Sequence, residues 1–175
     1  MSWQIDPAHS LIEFTVTHMM IAKVRGRFNN FSGLVELNES QPEKTSVTVE
    51  IDVESIDTRQ QQRDDHLRSA DFFNIAESPK MKFVGTNVNV IDNKHAKLNG
   101  ELTIKDITKP VTLNVEFNGI SKSPWGSTSA GFSATTKINR KDWALTWNQS
   151  LETGGVLVGD EISVNIEIEL IKQED

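Results

Sequence analysis

Between Arg59 and Ser69 the chain gathers Arg59, Arg63, Asp64, Asp65, His66 and Arg68 into one short run. Guanidinium forks bind phosphate or carboxylate through paired, charge-assisted hydrogen bonds, so Arg63 and Arg68 are candidates for gripping an anionic head group. The same residues would also serve as a salt-bridged cap over a larger element, with Asp64 and Arg68 paired one helical turn apart. Both roles can hold together. Phe72 and Phe73 follow directly and suit an aromatic plug beneath such a cap.

Other chemistry is sparse. His18 shares the parity of Ile12, Phe14 and Val16, which turns it toward an interior either as a hydrogen-bonded core histidine or as a polar contact for a ligand head. His9, just after Pro7, reads as a turn residue, and His95 falls in a polar hairpin exposed to solvent. The four histidines have no H-x-x-x-H or H-x-H spacing, so no metal site is expected. No G-x-S-x-G, H-E-x-x-H or cysteine nucleophile exists, and no catalytic residue is assigned. Gly154-Gly155 and Gly159-Asp160 read as turns, since no helical pattern follows them.

These residues need a frame, and alternation of period two supplies it. Val47 to Val53, Leu98 to Ile104, Val111 to Phe117 and Ile162 to Leu170 each place apolar residues on one face and polar ones on the other. Weaker strands run over 12–18, 31–37, 81–90 and 129–138, with turns at Asp92-Asn93, Asp106 to Pro110 and Asn118-Gly119. Helical turns are expected near 64–70 and 141–147, the second placing Trp143 and Trp147 on one face. The fold is therefore all-β: an antiparallel sheet of eight strands that closes into a barrel and leaves no edge exposed.

A barrel of this size either fills with side chains or holds one slender ligand. Gly33, Gly100 and Ala134 on the inward parity favour a partly open lumen, whereas Phe14, Phe31, Phe83, Phe117 and Phe132 could fill it. The candidate lumen wall is Phe14, Val16, His18, Phe31, Val49, Ile51, Phe72, Phe83, Leu102, Leu113, Val115, Phe132 and Trp143.

At 175 residues one domain, 1–175, is expected. A formal charge of −7 would repel phosphate backbones, which argues against nucleic acid as a partner. Absence of cysteine removes disulfides and thiolate chemistry. MSWQIDPAHS lacks the pattern of a signal peptide, and no apolar run has the ~20 residues of a membrane-spanning helix, so a cytoplasmic location is expected.

Four stretches carry a resemblance: WQIDPAHSLIEFTVTHMMIAKVRGRF at 3–28, SIDTRQQQRDDHLRSADFFNIAESPKMKF at 55–83, LNGELTIKDITKPVTL at 98–113 and INRKDWALTWN at 138–148. Together they resemble the YceI-like family of polyisoprenoid-binding proteins. The resemblance implies a lipocalin-like eight-stranded barrel, often a homodimer, whose apolar lumen holds an isoprenoid or similar amphiphile, with quinones and fatty amides as further ligands. No cofactor is required beyond such a bound lipid or quinone. Where relatives often show glycine after the aromatic of R-x-D-aromatic, this chain has Ala144.

Binding, storage or transport of a polyprenyl diphosphate or isoprenoid quinone follows from this resemblance, with His18, Arg63 and Arg68 at the head group. Loss of either arginine would then weaken a diphosphate-headed lipid more than its alcohol. An enzyme acting on such a lipid, through His18 and a buried carboxylate, and a stress-related structural protein with a filled core are the alternatives.

Overall fold

The computed structural model describes residues 2–174. Eleven strands form one antiparallel sheet: β1 (Ser2–Ile5), β2 (Leu11–His18), β3 (Ala22–Phe28), β4 (Phe31–Glu36), β5 (Ser46–Asp52), β6 (Ile56–Asp57), β7 (Lys80–Val90), β8 (His95–Ile104), β9 (Ile107–Lys122), β10 (Thr128–Asn139) and β11 (Val158–Lys172). Eight of them close the expected barrel, in the order β1-β4-β5-β7-β8-β9-β10-β11 and back to β1. Closure rests on β11, whose one edge takes β2 from Val158 to Glu167 and then β1 from Leu170 to Lys172. One helix, α1 (Gln61–Arg68), follows the short β6. No helix among the described residues is long and apolar enough to cross a membrane.

Every cleanly alternating stretch is a strand, because its apolar side chains share the inner face, except that Val53 falls in the 3-10 turn Val53–Ser55 that follows β5. Three strands are additional to the expected eight. β1 and β6 are too short to show a period. β3 hides its period at Gly26, whose missing side chain leaves room for the Phe14 ring; a Cβ there would lie 2.3 Å from Phe14 Cζ.

The strand details differ from the sequence reading in instructive ways. Asn118-Gly119 is not a hairpin: β9 continues through it to Lys122, and the register with β10 slips by one residue there, with Phe117 opposite Phe132 and Gly119 opposite Gly131. This is a bulge, in which Gly119 takes φ +119. Pro110 also lies within β9 and is tolerated because β10 stops pairing at Asn114, leaving Pro110 bonded to β8 alone. The β8–β9 turn is made by Lys105 and Asp106, both at positive φ.

Helix α1 begins three residues before the expected start and ends at Arg68. Residues 141–147 form no α-helix. A single 3-10 turn, Arg140–Trp143, is stopped by Ala144 in the left-handed region at φ 58. Trp143 is thereby buried under the barrel end, with its indole N–H donated to Leu102 O at 3.0 Å, while Trp147 stacks elsewhere.

Candidate functional site

Side chains from all the barrel strands leave a cavity of about 720 Å³ inside the barrel. Its wall is almost wholly aliphatic and aromatic. Along β11 it runs from Val158 to Leu170, roughly 30 Å of barrel axis at about 3.3 Å per residue and a strand tilt near 40°. The volume lies within the ~300–1,000 Å³ typical of small-molecule sites.

Of the expected wall residues, Phe14, Val16, Val49, Ile51, Phe72, Phe83, Leu102, Leu113, Val115 and Phe132 do line this cavity. Three do not. His18 sits on the last pair of β2, opposite Val158 and Ala22, and does not itself line the cavity. Phe31 is buried in the core at the start of β4, and Trp143 is buried in the barrel-end closure.

The glycines did not create the space assigned to them. Ile5 occupies the room left by Gly33, and Phe83 that left by Gly100, where a Cβ would lie 2.5 Å from each. The opening instead follows from the wall, where Ala134 and the valines are too short to meet across the lumen. Filling of the interior by phenylalanine is thus overturned: Phe14, Phe83, Phe117 and Phe132 stand along the wall and leave the centre open.

The two ends differ. At the cap end, where β11 begins, the cavity stops against Phe28, Ile56, Leu67, Phe72, Phe73 and Leu145. The His66 ring stands edge-on to both Phe72 and Trp147, at 5.1 and 4.7 Å between centroids, and reaches Asp71 at 2.9 Å.

Below this aromatic lid the charged run is consumed by its own backbone. Arg63 donates to Thr58 Oγ1 at 2.7 Å and to Thr58 O at 2.6 Å. Arg68 donates to Glu54 O at 3.0 Å and Ile56 O at 3.1 Å, and pairs with Asp65 rather than Asp64. Buried Asp64 accepts the Thr58 amide and hydroxyl instead, because α1 starts early enough to turn it inward. Neither arginine lines the cavity, and both hold the cap through backbone carbonyls. The i, i+4 pair is not made because Thr58 takes the Asp64 carboxylate, and His18, although on the parity of Phe14 and Val16, sits at the last pair of β2.

Arg140, within the INRKDWALTWN stretch, drew no functional assignment from its sequence. It is 3% exposed, touches the cavity, and donates to the carbonyls of Gly159, Leu145, Trp147 and Val158 at 2.5–3.3 Å. Burial pushes its pKa below the ordinary arginine value, and Asp160 at 3.8 Å opposes that. One cation therefore ties the 140–147 segment to the start of β11. Its signal was the lone charge on the inward parity of β10, two residues past Ile138.

The opposite, hairpin end is where the wall becomes wet. The exposed lining residues, Glu39, Val90, Asp92, Asn93, Lys94, His95 and Ile120, all gather there, on the β7–β8 hairpin, β9 and the 37–45 loop. Asp92 holds the hairpin by accepting the amides of Lys94 and His95 at 2.8 Å each and His95 Nδ1 at 2.9 Å. These donors, the Lys94 amide foremost, lower the Asp92 pKa. Access to the cavity is therefore at this end.

His9 behaves as a turn residue: Asp6 caps the 3-10 turn through the Ala8 amide and accepts His9 Nδ1 at 2.7 Å. With Glu169 nearby, Asp6 holds the His9 pKa above the ordinary histidine value. Asp6, His9 and Glu169 bring one donor atom each within 4.8 Å of one another, outside the barrel, and the hydrogen bond accounts for that grouping.

A profile of the YceI-like domain matches residues 3–170. The chain belongs to the YceI-like family. A relative, the UPF0312 protein SAS2572 of Staphylococcus aureus (strain MSSA476), is 41% identical over 162 residues, covering 92% of each chain. Burkholderia cenocepacia BcnA shares the fold at a TM-score of 0.82 and 22% identity, over 97% of this chain and 99% of that one. A polyisoprenoid binding domain from Saccharophagus degradans, implicated in plant cell wall breakdown, does so at 0.68 and 13%, over 96% and 97%. The YceI-like barrel described here thus has the family's architecture, with its cavity open at the hairpin end.

Proposed function

We propose that this protein binds a long isoprenoid or similar amphiphilic lipid, holding its chain in the barrel lumen for storage or transport. The observation that carries this reading is the apolar cavity of about 720 Å³ inside the barrel, with access at one end. A wall of this chemistry offers water entering from the mouth few hydrogen-bonding partners. A hydrocarbon chain needs none, and each methylene buried there contributes about 0.8 kcal/mol.

Family membership and the fold shared with the polyisoprenoid binding domain of Saccharophagus degradans support the same ligand class. A polyprenyl diphosphate and an isoprenoid quinone share the chain that the lumen would hold. The reading is one of binding and not catalysis, since His18 does not line the lumen and pairs with no carboxylate among the described residues.

Native mass spectrometry of gently purified protein should show a co-purifying lipid, and stripped protein should take up added prenyl lipid. Ala134→Trp, which fills the lumen from a buried wall position, should abolish uptake while the far-ultraviolet circular dichroism stays β-type. Repeated recovery of empty protein that takes up no prenyl lipid would sink the proposal.

A further inference from the structure

Beside the mouth, a second and smaller recess is lined by Asn93, Lys94, Glu116, Phe117, Asn118 and Gly119. It shares Asn93, Lys94 and Phe117 with the lumen, so it continues the lumen outward from the Phe117 ring. Its shape comes from the β9 bulge together with the end of β8. Pairing with β8 stops at His95 opposite Glu116, and Lys94 O accepts the Phe117 amide at 2.6 Å.

We infer that this recess is the head-group subsite of the lumen, and that it selects an uncharged polar head bearing a hydroxyl or amide over a diphosphate; the inference rests on the lipid-binding reading above. Two observations argue for it. The first is the charge at the mouth: Glu39, Asp92 and Glu116 are carboxylates, while Lys94 is the one permanent cation among the described residues that line either space there. A diphosphate would meet three negative groups for one positive one. The second is where the other cations went. Arg63 and Arg68 lie at the opposite end with their guanidinium groups on backbone carbonyls, and Arg140 is held by four of them.

The recess does suit a neutral head. Lys94 Nζ and the Asn93 amide have no hydrogen-bond or ion-pair partner among the described residues and can donate; the Glu116 carboxylate is equally unpartnered and can accept. Asn118 has its amide on Ser133 Oγ at 3.0 Å, which leaves its carbonyl as a further acceptor. A hydroxyl or carboxamide carries both donor and acceptor and pairs with such a set, whereas a diphosphate carries acceptors alone.

The test compares a prenyl alcohol with the diphosphate of the same chain, each titrated below its micelle concentration into the stripped full chain and into Glu116→Gln. The alcohol should bind more tightly to the wild type by at least about threefold, as expected for a few carboxylates screened over a Debye length. Glu116→Gln should improve the diphosphate by about threefold and change the alcohol less. A wild type that binds the diphosphate as well as the alcohol overturns the head-group inference and leaves the lumen reading standing. An unchanged diphosphate affinity in Glu116→Gln overturns the placement of the head in this recess. Failure of both lipids to bind overturns the lumen reading and the subsite with it.

Discussion

The two ends of this barrel are built from similar residue types and do opposite things. At the cap end, Arg63, Arg68, Arg140 and Asp64 turn inward onto backbone groups, and Phe72, Phe73 and His66 close over the lumen. At the hairpin end, Lys94, Glu116 and Glu39 point into water around an apolar rim of Val90 and Ile120. A buried guanidinium that satisfies carbonyls in a low-dielectric setting is worth far more to the fold than an exposed one, and it is no longer available to a ligand. Stability is therefore concentrated at one end and recognition at the other.

This contrast can be broken most severely at Arg140. Arg140→Met would take the guanidinium donor from the Leu145, Trp147 and Gly159 carbonyls, while Val158 O keeps the Asn148 amide at 2.8 Å, and should lower unfolding free energy by about 3 kcal/mol, read by urea denaturation. A loss under about 1 kcal/mol would mean that the cap end is not anchored there.

Arg63→Ala and Arg68→Ala come next, at about 1–2 kcal/mol each, since both side chains are only partly buried. Their effect on lipid binding should be the same for a prenyl alcohol and its diphosphate. A selective loss of the diphosphate would return the head group to the cap end. Ala144→Gly sharpens the comparison in the other direction: Ala144 holds φ 58, which glycine adopts without cost, so the variant should gain up to about 1 kcal/mol in thermal or urea unfolding.

The smallest effect belongs to the hairpin. Asp92 has a lowered folded-state pKa, so its contribution to the turn is present above the unfolded aspartate value and is lost as pH falls through the folded one. Amide exchange of Lys94 and His95 should accelerate in that acid window while the cap-end amides stay protected. Uniform loosening of both ends would erase the distinction.

Much of the barrel was legible because period two leaves little choice once one face is buried. Val47–Val53, Leu98–Ile104, Val111–Phe117 and Ile162–Leu170 all face as their alternation dictates. The lumen wall was legible for the same reason, with ten of its expected members in place. Misreadings fell where local rules compete with distant partners. Asn118-Gly119 has turn chemistry, yet it sits in mid-strand because β10 pairs on both sides of it. Gly33 and Gly100 look like vacancies, yet Ile5 and Phe83, on the neighbouring strands of the sheet, lie over them. Lys141 to Trp147 has helical spacing, yet Arg140 draws the segment across the barrel end.

Sequence alone determined the class, the closed sheet, the family and the inward rows, since each depends on near neighbours along one strand or on a long matched pattern. Tertiary structure decided which end opens, where the charges are consumed and how much space survives in the middle. Those depend on which side chains meet between strands, not along one. Neither the reach of Phe83 over Gly100 nor the four carbonyls around Arg140 leaves a mark in local periodicity.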